Sequence, residues 1–190
     1  LYEHSRAISL GDGEVQLETG SITCTHTIVA VDGRIEQLLP ELAGHIRTAR
    51  LQMLSTGPVP EVRIARPVYR RWGYDYWQQL PDGRVVLGGC RDRFLDSEWT
   101  METRPTAEVQ ECMESILRDV VGVTQPVLHR WGASVSYSNG ILPVMKQVRP
   151  GVWAIGGYNG TGNVIGSIYG RMVAQIAITG ESGLLRTFES

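Results

Sequence analysis

Hydrophobic and polar positions alternate through the first part of the chain. Glu14-Val15-Gln16-Leu17-Glu18-Thr19 alternates polar and apolar side chains through Val15 and Leu17, the period of a strand with one wet face, and Ser21 to His26 alternates again. Ala7 to Leu10 precedes Gly11-Asp12-Gly13, a hairpin turn signal, and Gly20 turns the chain once more. Thr27-Ile28-Val29-Ala30-Val31 is apolar without alternation, which predicts a strand covered on both faces. It ends at Asp32-Gly33, and Ile35 to Leu42 predicts a short helix.

From residue 47 the pattern changes. Arg50 to Thr56 predicts a strand broken by Pro58 and Pro60. Pro67 to Trp72 and Tyr74 to Leu80 are aromatic-rich strands around Gly73. Pro81-Asp82-Gly83 predicts a hairpin, with Arg84 to Gly89 returning. Thr106 is placed to cap a helix from Ala107 to Val121, with Val109, Met113, Ile116, Leu117 and Val120 on one face and Gly122 closing it. Val127 to Ala133 and Ser134 to Ser138 return to strands. Asn139-Gly140 is a turn, Ile141 to Met145 is an apolar run, and Arg149-Pro150-Gly151 is a second turn.

The most pointed stretch follows. Val152 to Ile155 reads as a short buried strand, and Gly156-Gly157-Tyr158-Asn159-Gly160-Thr161-Gly162-Asn163 as a glycine-rich turn. From Val164, Ile165, Ile168, Met172 and Ile176 recur at helical spacing until Gly180 stops the helix. Free N–H groups at such a turn, together with the helix dipole, make a site for an electron-rich cofactor edge. The same residues suit an ordinary tight strand-to-helix connection, and the dinucleotide fingerprint G-x-G-x-x-G is absent.

Composition narrows the classes. With 190 residues, 42% of them hydrophobic, the chain has enough apolar material for one domain or two small ones. A net charge of -2 leaves no basic footprint for nucleic acid or a membrane surface, so neither is an expected partner. No apolar run is long enough to span a bilayer. Cys24, Cys90 and Cys112 are far apart and odd in number, which predicts reduced thiols and a cytoplasmic setting. They share no metal-ligand spacing with His4, His26, His45 and His129, so no metal site is expected.

Other candidates carry little. Asp92 and Asp96 read as solvated loop charges, His129 as a structural histidine, and Cys90 as a buried inert thiol. Ser134, Ser136 and Ser138 alternate along one strand without a histidine–acid arrangement. The cluster Tyr69, Trp72, Tyr74, Tyr76, Trp77 is denser. It suits either core packing or a pocket for an apolar or cationic group.

Taken in order, several segments resemble one family. They are Ile28 to Val31, Leu38-Leu39-Pro40-Glu41-Leu42, Arg66-Pro67-Val68-Tyr69, Tyr76 to Gly89, Trp131-Gly132, Pro143 and the loop Gly156 to Gly162. The set is similar to the FAD-dependent amine and amino-acid oxidoreductases of the D-amino-acid oxidase superfamily, in the branch of glycine, sarcosine and gamma-glutamylputrescine oxidases. The resemblance implies an α/β (α+β) fold. Residues 1–46 and 127–190 would form the back and C-terminal parts of an FAD-binding domain with a mixed sheet, and 47–126 a substrate domain on an antiparallel sheet. It implies that Gly156 to Asn163 lie against the flavin and that Tyr76 and Trp77 touch a small amine or amino acid. The implied reaction is oxidation of the C–N bond by hydride transfer to flavin. No catalytic residue is assigned.

Departures from the family pattern shape these expectations. The family opens with a strand, a G-x-G-x-x-G turn and a helix that hold the FAD pyrophosphate. Here the first residue is Leu1 and no such segment is present. The chain is therefore expected to be a fragment, holding FAD weakly or not at all by itself; a homodimer formed through the surface thereby exposed is a third alternative. The position of the family's carboxylate-binding arginine is Val135, which favours an amine substrate unless Arg70 or Arg71 supplies the clamp. No cysteine occurs from Arg130 to Met145, so FAD is expected to be noncovalent. A binding module of α+β architecture without redox chemistry is the alternative.

Overall fold

The structure is a computed structural model and describes residues 1–183. The C-terminal end of the 127–190 segment, residues 184–190, lies outside the described residues. In chain order the elements are β1 (Ala7–Gly11), β2 (Glu14–Leu17), β3 (Gly20–Thr23), β4 (Thr27–Val29), α1 (Ile35–Leu38), β5 (Ile46–Pro58), β6 (Val68–Arg70), β7 (Asp75–Gln79), β8 (Arg84–Gly89), α2 (Leu95–Glu98), α3 (Ala107–Ile116), β9 (Val127–Ser138), β10 (Val144–Arg149), β11 (Val152–Gly156) and α4 (Gly162–Thr179). Contacts divide them into two compact units, 1–48 with 135–190 and Ala49–Ser134. The chain passes between the units inside β5 and inside β9. Both are continuous strands, so no break in periodicity marks either crossing.

The first unit holds two small sheets. β1, β2 and β3 form an antiparallel meander. In the second sheet, β11 pairs antiparallel with β10 and parallel with β4, so this sheet is mixed. Its core joins Val29, Val152 and Ala154 of the strands to Ile35, Leu39 and Leu42 of the short helical segment. Pro40 divides that segment, because its ring cannot continue α1, and a 3₁₀ turn follows at Pro40–Leu42. The apolar run 27–31 is not covered on both faces as its pattern predicts. Val29 is buried, while Ile28 is 38% and Val31 52% exposed. β4 stops at Val29 and lies at the margin of its sheet, with β11 as its one partner among the described strands.

The second unit is a sheet in the order β6-β7-β8-β5-β9 with α3 packed on one face. Leu54, Val85 and Leu87 of the strands meet Val109, Met113 and Ile116 of the helix. The Pro81-Asp82-Gly83 hairpin forms as predicted, with Gly83 at φ 85°. Two helix details differ from the pattern. Thr106 does not cap α3, because its hydroxyl accepts from Gln52 Nε2 at 3.0 Å. The last turn, Leu117–Val121, widens to π geometry before Gly122 at φ 81°, and that rotation leaves Val120 exposed.

Cys90 and Cys112 are joined as a disulfide, which corrects the expectation of reduced thiols and of an inert Cys90. The two cysteines are distant in sequence but neighbours between the end of β8 and α3, and spacing alone does not reveal such a meeting. The thiol argument for a cytoplasmic setting therefore falls. No helix among the described residues is long and apolar enough to cross a membrane.

Candidate cofactor-binding loop

The loop Gly156–Asn163 leaves the C-terminal end of β11, where ligands of open α/β sheets gather. Gly157 stands at φ 66° and Gly160 at φ 86°, a region open to glycine without cost. Asn159 adopts φ 54°, which asparagine tolerates best among side-chain-bearing residues. Its side chain ties the loop to the end of β9: Oδ1 accepts from Ser138 N–H at 2.9 Å, and Nδ2 donates to Ser138 Oγ at 3.1 Å and to the Ile141 carbonyl at 3.5 Å. Tyr158 is buried against α4, where Gly162 and Gly166 leave room for its ring. A Cβ on Gly162 would stand 3.2 Å from that ring, so the small residues on this helix face are a seat for Tyr158. Burial pushes the Tyr158 hydroxyl above its ordinary pKa, with the Asp32 charge and Tyr169 adding to the rise.

The sequence pattern predicts free N–H groups throughout this turn. The structure instead divides them. The N–H groups of Gly157 and Tyr158 donate inward to Asp32 Oδ1, at 2.9 and 3.4 Å. Thr161 N–H donates to the Tyr158 carbonyl at 2.9 Å. The N–H groups of Gly162 and Asn163, the first two of the 18-residue helix α4, find no acceptor among the described residues. A Cβ on Gly160 would meet nothing within 4 Å, so the approach to the helix start is open. The arrangement matches an electron-rich group: unsatisfied donors, the positive end of a helix dipole, and no side chain in the way.

Asp32, which accepts from the loop's Gly157 and Tyr158 N–H groups, is not among the candidates the sequence pattern offers. It was legible only as half of a turn signal, Asp32-Gly33, although its place just past a strand's C-terminal end is the usual station of site residues. Ser136, one of the three alternating serines, is buried and hydrogen-bonded to it.

The other predicted site residues lie in the second unit. Tyr76 and Trp77 are neighbours on β7 and therefore point to opposite faces of the sheet. Tyr76 stacks on Tyr69 with ring centroids 6.0 Å apart, above Gly88, whose missing Cβ makes the space for it. Trp77 packs against the α3 core and lines a surface groove with Val62, Ile64, Val68, Val120 and Val121. One pocket holding both rings is not formed within this unit. Arg71 is not an open carboxylate clamp. Its Nε and Nη2 hold Asp75 at 2.7 Å each, and its Nη1 holds Asp92 at 2.5 Å. Asp92 is thus a paired residue and not a solvated charge. No group of three or more metal-ligating side chains occurs among the described residues.

Comparison with known proteins adds the family context. The chain matches the DAO family, described as FAD dependent oxidoreductase, over residues 1–176. It is 28% identical over 187 residues to the probable oxidoreductase OrdL of Rhizobium meliloti (strain 1021), covering 94% of this chain and 42% of that protein. Among solved structures it is similar to glycine oxidase from Geobacillus kaustophilus, with a TM-score of 0.78 at 13% identity, over 96% of this chain and 50% of that one. It is also similar to L-proline dehydrogenase from P. horikoshii, with a TM-score of 0.76 at 16% identity, over 96% of this chain and 51% of that one. The chain therefore spans about half the length, or less, of the relatives it matches.

Proposed function

This chain belongs to the DAO family of FAD dependent oxidoreductases, and from that premise we propose that it forms part of a flavoenzyme oxidising the C–N bond of a small amine or amino acid. The observation that carries the reading is the start of α4, where two unsatisfied backbone donors and the helix dipole face an unobstructed approach past Gly160. Gly160, Gly162 and Asn163 would hold the electron-rich edge of FAD there. When bound, FAD supplies the acceptor for the hydride that leaves the carbon bearing the amine. The protein's own contribution is to set those donors in place before binding and to favour negative charge next to them.

The amine or amino-acid class is supported by the similar structures, whose names place their substrates among proline and glycine. Within this chain Val135 occupies the expected clamp position and Arg71 is held by two carboxylates. These two features favour an amine, while Arg70, which reaches Asp75 only at 3.5 Å with its side chain 42% exposed, is the clamp candidate for a carboxylate-bearing substrate. FAD is held noncovalently in this proposal, since no cysteine occurs from Arg130 to Met145.

The test is anaerobic mixing of candidate amines and amino acids with an FAD-loaded chain of the relatives' length that contains this one. Loss of the oxidised-flavin absorption with one class identifies the substrate. Bleaching by neither class, while dithionite bleaches the bound flavin, refutes C–N oxidation.

A further inference from the structure

Four hydrogen bonds converge on one carboxylate at the base of the glycine loop. Asp32 Oδ2 accepts from Ser136 N–H at 3.0 Å, and Oδ1 accepts from Ser136 Oγ at 2.8 Å, from Gly157 N–H at 2.9 Å and from Tyr158 N–H at 3.4 Å. Gly157 N–H also donates to Ser136 Oγ at 2.9 Å. Three chain segments that are remote in sequence, the turn after β4, the end of β9 and the loop after β11, therefore meet on this one side chain. Asp32 holds φ 53°, an uncommon region for a residue with a side chain, and one that its hydrogen bonds over-determine.

The geometry points to Asp32 as the positioning residue of the cofactor loop: its carboxylate takes the Gly157 and Tyr158 N–H groups and so fixes the loop with the Gly162 and Asn163 donors left for the ligand. The inference rests on the proposed FAD site. Without an internal anion, Gly157 and Tyr158 N–H would turn toward solvent or the cofactor, and the loop would have several conformations to choose among. A carboxylate suits the task better than an amide. Asparagine offers one accepting oxygen, and its NH₂ would face either Ser136 N–H or the loop N–H groups, donor against donor.

The experiment compares the wild-type chain, extended to the relatives' length, with Asp32→Asn and Ser136→Ala. Amide hydrogen exchange is read at Gly157 and Tyr158 without FAD, and FAD affinity is read by flavin fluorescence at a temperature where all three are folded. Asp32→Asn is expected to speed exchange at those two amides at least tenfold, leave α3 unchanged, and raise the FAD Kd at least tenfold. Ser136→Ala keeps the carboxylate and both loop donors, and is expected to raise the Kd two- to threefold. A folded Asp32→Asn protein with wild-type exchange and wild-type Kd overturns the inference, as does faster loop exchange with no change in Kd. If Asp32→Asn does not fold, the wild-type chain decides: a Tyr158 amide, whose acceptor is Asp32 Oδ1, that exchanges at least tenfold slower than the Gly162 and Asn163 amides after correction for intrinsic rates supports the role, and equal exchange overturns it. A wild-type chain that ignores FAD refutes the proposed function instead, and the exchange comparison then shows separately whether Asp32 holds the loop.

Discussion

Glu98→Ala tests the electrostatic anchor of the second unit. Glu98 is fully buried, 0% exposed, and Arg50 is nearly so. The carboxylate accepts from Arg50 Nε at 3.2 and 3.1 Å, from Arg50 Nη2 at 2.5 Å, and from Gln52 Nε2 at 3.0 and 3.1 Å. Gln52 in turn accepts from Thr106 N–H and from Gln110 Nε2, so the network ties β5 to the start of α3. Removing Glu98 leaves a buried guanidinium with the Arg104 and Ser97 carbonyls, at 2.7 and 3.4 Å, in place of a counter-charge. Breaking a buried pair from one side costs about 3–5 kcal/mol. For a chain of this size that lowers the melting midpoint by roughly 10 °C. Urea unfolding followed by the fluorescence of Trp99, next to Glu98 in sequence, measures it. Replacing both partners, Arg50→Met with Glu98→Leu, removes the orphan charge and is expected to regain most of the loss. A loss for Glu98→Ala below about 1 kcal/mol, the level of an exposed ion pair, would refute the reasoning.

Further outcomes follow from the same contacts. Burial alone would raise the Asp75 carboxyl, but hydrogen bonds and charge from Arg71 more than reverse this and hold it below the carboxylate range. Its stabilisation is complete above an unfolded pKa of about 4 and is lost as pH falls through the lower folded value, so Asp75→Asn should flatten acid unfolding below about pH 4. Tyr158 titrates above its ordinary value in the folded chain, so its contribution is full below about pH 10 and is lost at higher pH; Tyr158→Phe should remove that alkaline loss in a pH-dependent melt. Reducing Cys90–Cys112, which are 22 residues apart, should cost about 3 kcal/mol in denaturant unfolding, with two new thiols by titration. A Cβ at Gly88 would stand 2.5 Å from the Tyr76 ring, so Gly88→Ala should cost about 1–3 kcal/mol by overpacking and disturb the Tyr69–Tyr76 stack in near-ultraviolet dichroism.

Local signals made much of the fold legible. The turn at Gly11-Asp12-Gly13, the hairpin at Pro81-Asp82-Gly83 and the helix ends at Gly122 and Gly180 all form where backbone chemistry places them. The strand, glycine loop and helix from Val152 were legible for the same reason. What stayed hidden depends on meetings between distant segments. Asp32 reaches Ser136 and Gly157 across more than a hundred residues, Cys90 meets Cys112 only once α3 packs on the sheet, and Thr106 forgoes its cap for Gln52. Arg71 looked available because its captor Asp92 lies beyond a hairpin. The aromatic run around Tyr76 and Trp77 differs in kind. Strand alternation sends adjacent rings to opposite faces of β7, so density in sequence does not by itself place both rings on one face.

The most direct test of the flavin site is the visible absorption spectrum of a purified chain of the relatives' length that contains this sequence. The account predicts oxidised-flavin bands that co-elute with the protein and are released as free FAD on acid denaturation. A colourless protein that also fails to bind added FAD would contradict it.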